Sequence, residues 1–389
     1  MADNPFGSDP FEIVFKDLLK VMSGQGQLAS SVAEQFATSI ATEGDGSRNP
    51  EPLARMKLES LFELADRELA NESILSDLLP RNVSIEVVSP IEFARKSLTD
   101  FSELLGRAEE IAKATSHTDT AIGAESIEIA GLPLAQMGSM MGPLMTGLNA
   151  GSCIGHLAKE SLASYDIPLI RPDGRLQIVE ANLKSFAEEW SLNYDEVALW
   201  LCLSQLSIHA ILSRPSIKAR IERLVDDHFG ASLQFTESLN KRLSEIDMSD
   251  PSALQRLASN PNDLMGIQLS STQEAQLRDA RGFFAVVVGL ADYATSTAAR
   301  KLIGNFEPIA EALRRRRLEI REGEELFKKL FGLGFDGVTF ELGHKFVFGV
   351  LERNAENELG KILTDDQMFP TPNEIDAPGL WLARTGASS

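Results

Sequence analysis

A mainly α-helical fold with a small β element is what this sequence of 389 residues predicts. Apolar residues recur at helical spacing through most of the chain, and only two short stretches suggest strands. Hydrophobic residues make up 43% of it, enough for a substantial core, which excludes a disordered chain. Composition then suggests three parts. Residues 1–49 are Gly-, Ser- and Asp-rich and read as a flexible N-terminal segment, with Phe11 to Met22 its best candidate helix. Residues 50–128 read as an N-terminal helical region, and residues 129–389 as a core able to pack with it as one unit.

From Pro50 a helix is expected, with Leu58, Leu61, Phe62, Ala65 and Leu69 on one side. Val83, Ile85 and Val87 alternate as in a half-buried strand. Ser89, Pro90 and Glu92 then supply a capping serine, a first-turn proline and the reciprocal glutamate of a helix start. Leu98, Phe101, Leu105, Ala108 and Ala112 follow at helical spacing. From Ile129 to Ala158 there is no Asp, Glu, Lys or Arg. Two prolines and several polar side chains argue against a membrane span there. Gly147, Gly151 and Gly155, four residues apart, form a flat strip that lets another helix approach closely.

Ile167 to Val179 reads as a β-hairpin turning at Pro172, Asp173 and Gly174. Asn193 to Pro215 reads as a helix capped by Asn193, with Val197, Leu201, Ser204, Ile208 and Ile211 along one face. Ser204 interrupts that stripe. An amphipathic helix from Pro215 should stop at Gly230, and a long apolar one from Arg281 at Gly304. Arg314 to Arg317 predict an ion-paired or solvated face in preference to an anion site. The Pro-rich, aromatic C-terminal stretch reads as an ordered strap over the core.

The balance of 57 acidic against 37 basic residues gives a net charge of −20, which disfavours nucleic acid and anionic lipid as partners. Two cysteines, Cys153 and Cys202, lie in apolar helical sequence and point to a reducing compartment. The N-terminus lacks the basic start and apolar run of a signal peptide, so a cytoplasmic location is expected. No nucleophile elbow, Walker loop or dinucleotide fingerprint is present.

Several stretches in one order carry a family resemblance: NPFG, GSCIGHLAKESLASYDIPLIRPDGRLQIV, DEVALWLCL, LADYATSTAARKLI, LRRRR and FPTPNEIDAPGLWLAR. With these the chain resembles a bacterial, mainly actinobacterial family of zincin-like zinc metallopeptidases of uncharacterised function. The resemblance implies a zincin-like core carrying His-Glu-x-x-His on the helix after DEVALW. In that motif two histidines one turn apart hold zinc and the glutamate activates the metal-bound water. Aligned without gaps, this chain places Ser204 and Ile208 at the histidines and Gln205 at the glutamate. A second family segment, resembling Glu-Gly-(His or Tyr)-Ala-(Asp or Glu), falls on Val288, Gly289, Leu290, Ala291 and Asp292. Either Val288 or Leu290 thus stands where active relatives place a third ligand, and neither side chain can bind metal.

His209 does not rescue the motif by a one-residue shift. At about 100° per residue it lies ~140° away from Ser204, sharing a face with Cys202 and Gln205. Cys202 and His209 are separated by ~10.5 Å along the axis, too far for one zinc. His209 is therefore expected to be satisfied locally, and His156 and His228 lack ligand spacing. The resemblance and these losses together imply a catalytically inactive homologue without a cofactor, where active relatives would carry zinc. Its expected role is to bind a protein or peptide, or to regulate a relative. The competing reading is a hydrolase with a relocated site using His156, His209 or His228. Neither an oligomeric state nor a specific partner follows from the residues.

Overall fold

The computed structural model describes residues 28–43, 49–72, 74–80, 83–116, 128–129, 132–171, 174–244, 271–331, 333 and 335–386. The candidate helix from Phe11 to Met22 lies outside them. Twelve longer helices account for most of the described chain. In order they are α1 (Leu28–Ala41), α2 (Pro52–Glu72), α3 (Pro90–Asp100), α4 (Ser102–Ser116), α5 (Leu134–Glu160) and α6 (Glu180–Glu189). Then follow α7 (Tyr194–Leu212), α8 (Pro215–Ser244), α9 (Ser271–Leu302), α10 (Glu307–Leu318), α11 (Glu322–Phe331) and α12 (Gly337–Leu351). The mainly helical fold class is as expected.

Helix α7 is the axis of the molecule. Asn193 caps it, its side-chain oxygen accepting from the backbone N–H groups of Asp195 and Glu196. Every residue from Val197 to Leu212 is buried, because α2, α6, α8, α9 and α10 surround it. The expected one-sided stripe is thus only part of a helix that is apolar nearly all round, the pattern of a central helix. Tyr194–Leu212 and Glu274–Leu302 are long and apolar enough to cross a membrane. Most of each is buried in this fold, which accounts for the composition.

The β element differs from the expected hairpin. Strand β1 (Ser84–Val88) pairs in parallel with the strand Arg175–Val179, Val87 opposite Ile178, so a long helical crossover rather than a tight turn joins them. Residues 167–171 make no strand, and Ala163 instead forms an antiparallel bridge to Ile178. A two-residue antiparallel pair, Glu128–Ile129 with Leu132–Pro133, precedes α5.

Helix α1 corrects the expectation that residues 1–49 are flexible throughout. It lies on the glycine strip of α5. A Cβ on Gly151 would come within 2.6 Å of the Ala33 carbonyl oxygen, and one on Gly155 within 2.7 Å of the Ile40 Cβ. Ala37 and Ala41 are fully buried there. The same economy of side chain brings α9 and α12 into backbone contact at Gly289 and Gly343. Two further differences are local. The helix expected through Phe101 breaks there into α3 and α4, and α8 runs past Gly230 to Ser244. The C-terminal strap is ordered as expected, Trp381 packing on Phe346 and donating from Nε1 to the Met368 carbonyl.

Candidate functional site

Ser204, Gln205 and Ile208 face a narrow, largely enclosed cavity of about 40 Å³. Trp200 and Leu201 of the same helix line it, with Val288 from α9 and Phe340 from α12. Three of the positions singled out by the family motif and one from the second segment therefore converge. Leu290 does not join them, because two residues turn a helix by ~200° and carry its side chain into the core behind. Asp292, one turn after Val288, shares its face and accepts from Arg317 Nη1 at 2.6 Å.

The opposite wall comes from the segment after α5. Asn182 Nδ2 donates to the carbonyls of Ala158 and Ser161, closing α5 at its C-terminal end. Arg171, itself buried, donates to the Ser164 carbonyl, and Ser164 Oγ accepts from the Gln177 N–H. These bonds hold Tyr165 and Asp166 against α7, where the Tyr165 N–H donates to Gln205 Oε1 at 2.8 Å. Gln205 thus keeps a buried amide whose oxygen is satisfied.

Arginines complete the wall. Four consecutive residues span about 300° of helix, so Arg314 to Arg317 cannot share one face. Arg314 and Arg315 pair with Glu311 at the exposed surface. Arg316 and Arg317 turn to the cavity, joined by Arg321. Arg316 reaches Asp166 at 2.9 Å and also the Glu160 carbonyl, while Arg321 reaches Asp166 at 3.3 Å and also Glu324. Arg317 lies over the Phe340 ring at 4.6 Å. The expected ion pairing is present, but half of the cluster faces inward. Burial pushes the Asp166 carboxyl upward, yet Arg316 and Arg321 more than offset it and hold it below the usual carboxylate range. Burial and the neighbouring Arg316 bring the Arg321 guanidinium down to about 10.

The four described histidines lie on four different helices. His209 Nδ1 shares a 2.6 Å hydrogen bond with the Tyr165 hydroxyl, and Nε2 lies 3.3 Å from Ser213 Oγ. That local pairing is as expected, and burial keeps the ring below its ordinary pKa. His156 faces Glu322 at 3.4 Å, and His344 stacks on Phe348. His228 lies within α8. Burial pushes the Cys202 thiol up to about 12, so it stays protonated and is a poor nucleophile. Among the described residues no three His, Cys, Asp or Glu side chains could hold a metal ion together.

A family model for zincin-like metallopeptidases matches residues 29–382. The chain belongs to the zincin-like metallopeptidase family. The match begins in α1 and ends in the C-terminal strap, so this metallopeptidase homologue carries the family fold over nearly its whole length. Its fold is similar to that of a protein from Chloroflexus aurantiacus described as a "putative hydrolase with a novel fold". The TM-score is 0.65 at 18% identity, over 92% of this chain and 99% of that one. No curated protein matches it.

Zinc, which the family name implies, does not fit the residues present. At the converging positions stand a hydroxyl, an amide and two hydrocarbons, where zinc needs imidazole, thiolate or carboxylate. Asp166, the acidic side chain on the cavity wall, is already shared by two arginines and the Leu162 N–H. The guanidinium groups would also repel a dication. Sequence reading missed Tyr165, Asp166 and Arg321 as members of this site. The signal for them was weak: Tyr165 and Asp166 stand just before the presumed hairpin, outside any periodic stretch, and Arg321 stands outside the four-arginine run.

Proposed function

We propose that this protein is a catalytically inactive zincin-like metallopeptidase homologue that binds a peptide or protein, or regulates a relative, through the remodelled cleft. The observation that carries this reading is the convergence of Ser204, Ile208 and Val288 on one cavity. These positions meet as a ligand set would, but their side chains cannot coordinate metal. Gln205 supports it as well, since an amide committed to the Tyr165 N–H has no basic site with which to activate water. Arg316 and Arg321 close the same space with fixed positive charge.

The test is metal analysis of protein purified without added zinc, together with a screen of peptide hydrolysis. The expected result is zinc well below one per chain and no cleavage, with or without added zinc. Stoichiometric zinc that a chelator removes together with peptidase activity would overturn the proposal.

A further inference from the structure

The cavity lining carries a charge opposite to that of the chain. Three arginines, Arg316, Arg317 and Arg321, face one aspartate, Asp166, in a protein of net charge −20. Those arginines also have donors to spare. A guanidinium has five N–H groups. Among the described residues, Arg316 hydrogen-bonds through Nη2 alone and Arg317 through Nη1 alone. Arg321 is nine-tenths buried, and its Nε has no partner. An unsatisfied donor on a buried cation is a costly arrangement unless something else accepts from it.

Size narrows the choice of acceptor. One water needs roughly 10–15 Å³ of such space, so a cavity of about 40 Å³ takes about three small atoms. A carboxylate has three heavy atoms, and a phosphate has five. A planar carboxylate also matches the two-pronged geometry of a guanidinium. Ser204 lines the same cavity, and Val288, Ile208 and Leu313 make part of its lining apolar.

We infer that the cleft of this homologue is a carboxylate-binding site, in which Arg316, Arg317 and Arg321 hold the anion. Resting on the non-metal reading above, this assigns the ligand class of the same site. The carboxylate belongs either to a small free acid or to the C-terminus of a peptide, and both present the same chemistry to the arginines.

The experiment is calorimetric titration of the full chain with sodium acetate, against sodium chloride at equal ionic strength. Trialanine with a free C-terminus and its C-terminal amide are titrated in parallel. Acetate is expected to bind saturably where chloride does not. Free trialanine binding more tightly than acetate, with the amide silent, assigns a peptide terminus. Acetate binding with both peptides silent assigns a small acid. Arg317→Lys keeps the charge but loses the fork, and is expected to weaken binding about tenfold or more. Ser204→Leu fills the space without touching an ion pair, and should abolish binding in a protein whose circular dichroism is unchanged. Acetate behaving like chloride, or binding unaltered in folded Ser204→Leu protein, overturns the inference. Zinc content separates the two proposals: a zinc-free protein that ignores acetate loses only this one, whereas stoichiometric zinc removes the reading beneath it.

Discussion

His209 shows how a polar side chain survives in the middle of a buried helix. Both ring nitrogens have hydroxyl partners, Tyr165 and Ser213, so the neutral ring is satisfied, while burial disfavours the charged one. Burial places its folded pKa below the ordinary 6.5. Between those two values the unfolded chain binds the extra proton, so stability rises with pH through that window and falls as pH drops below about 6.5. His228, also held low by burial, adds to the same slope. Asp166 acts in the same direction, but only at lower pH, near and below the ordinary carboxylate value of 3.8. Urea unfolding at pH 7.5 and 5.5 should therefore show a loss of stability in acid that is smaller in His209→Gln protein. An equal loss in both proteins would show that His209 does not titrate with folding.

At the scale of elements, glycine provides a test in which the sign depends only on what lies beside it. Gly230 sits inside α8 with nothing within 4 Å of an added Cβ. Alanine there gains helix propensity and reduces unfolded-state entropy, so Gly230→Ala should stabilise the protein by about 0.5–1 kcal/mol. Gly343 sits inside α12, where a Cβ would lie 2.1 Å from the Ala285 carbonyl oxygen of α9. The same propensity gain is offered, but two helix backbones would have to separate. Gly343→Ala should destabilise by about 1–3 kcal/mol, the usual cost of overpacking. Thermal melts of the two variants are expected to move in opposite directions. A melt of Gly343→Ala above wild type would mean that α9 and α12 are not in backbone contact.

For the whole molecule, the C-terminal strap matters as much as the central helix. Trp381 is fully buried, and Arg384 ties the strap together through Glu374 and the carbonyls of Gln367 and Phe369. Ile375 and Phe369 meet α9 at Gly282 and Phe283 respectively, on the same helix that delivers Val288 to the cavity. Trp381→Ala should cost about 3–5 kcal/mol, as large aromatic truncations in cores do. Denaturant unfolding followed by circular dichroism would measure it. A loss under 1 kcal/mol would mean that the strap is only laid on the surface.

Much of the candidate site could be read from the chain, and the unread part has a definite cause. Helical spacing is local, so it was enough to place Ser204 and Ile208 on one face and to keep His209 off it. The motif also pointed to Val288 and Leu290 without choosing between them. The choice required knowing which side of α9 faces α7. Tyr165, Asp166 and the inward pair of arginines were illegible because no periodicity links residue 166 to residue 316. Only the folded chain brings their carboxylate and guanidinium within hydrogen-bonding distance.

By itself, then, the sequence determined the helical class, the caps and the glycine strip of α5. Each of these depends on neighbours within a few turns or on side-chain chemistry alone. Tertiary structure decided that α1 fills the glycine strip, that the two strands run parallel, and that α7 is buried all round. It also decided that arginines line the cavity that Ser204, Gln205, Ile208 and Val288 face. Those are contacts between segments tens to hundreds of residues apart, set by which surfaces exclude water together.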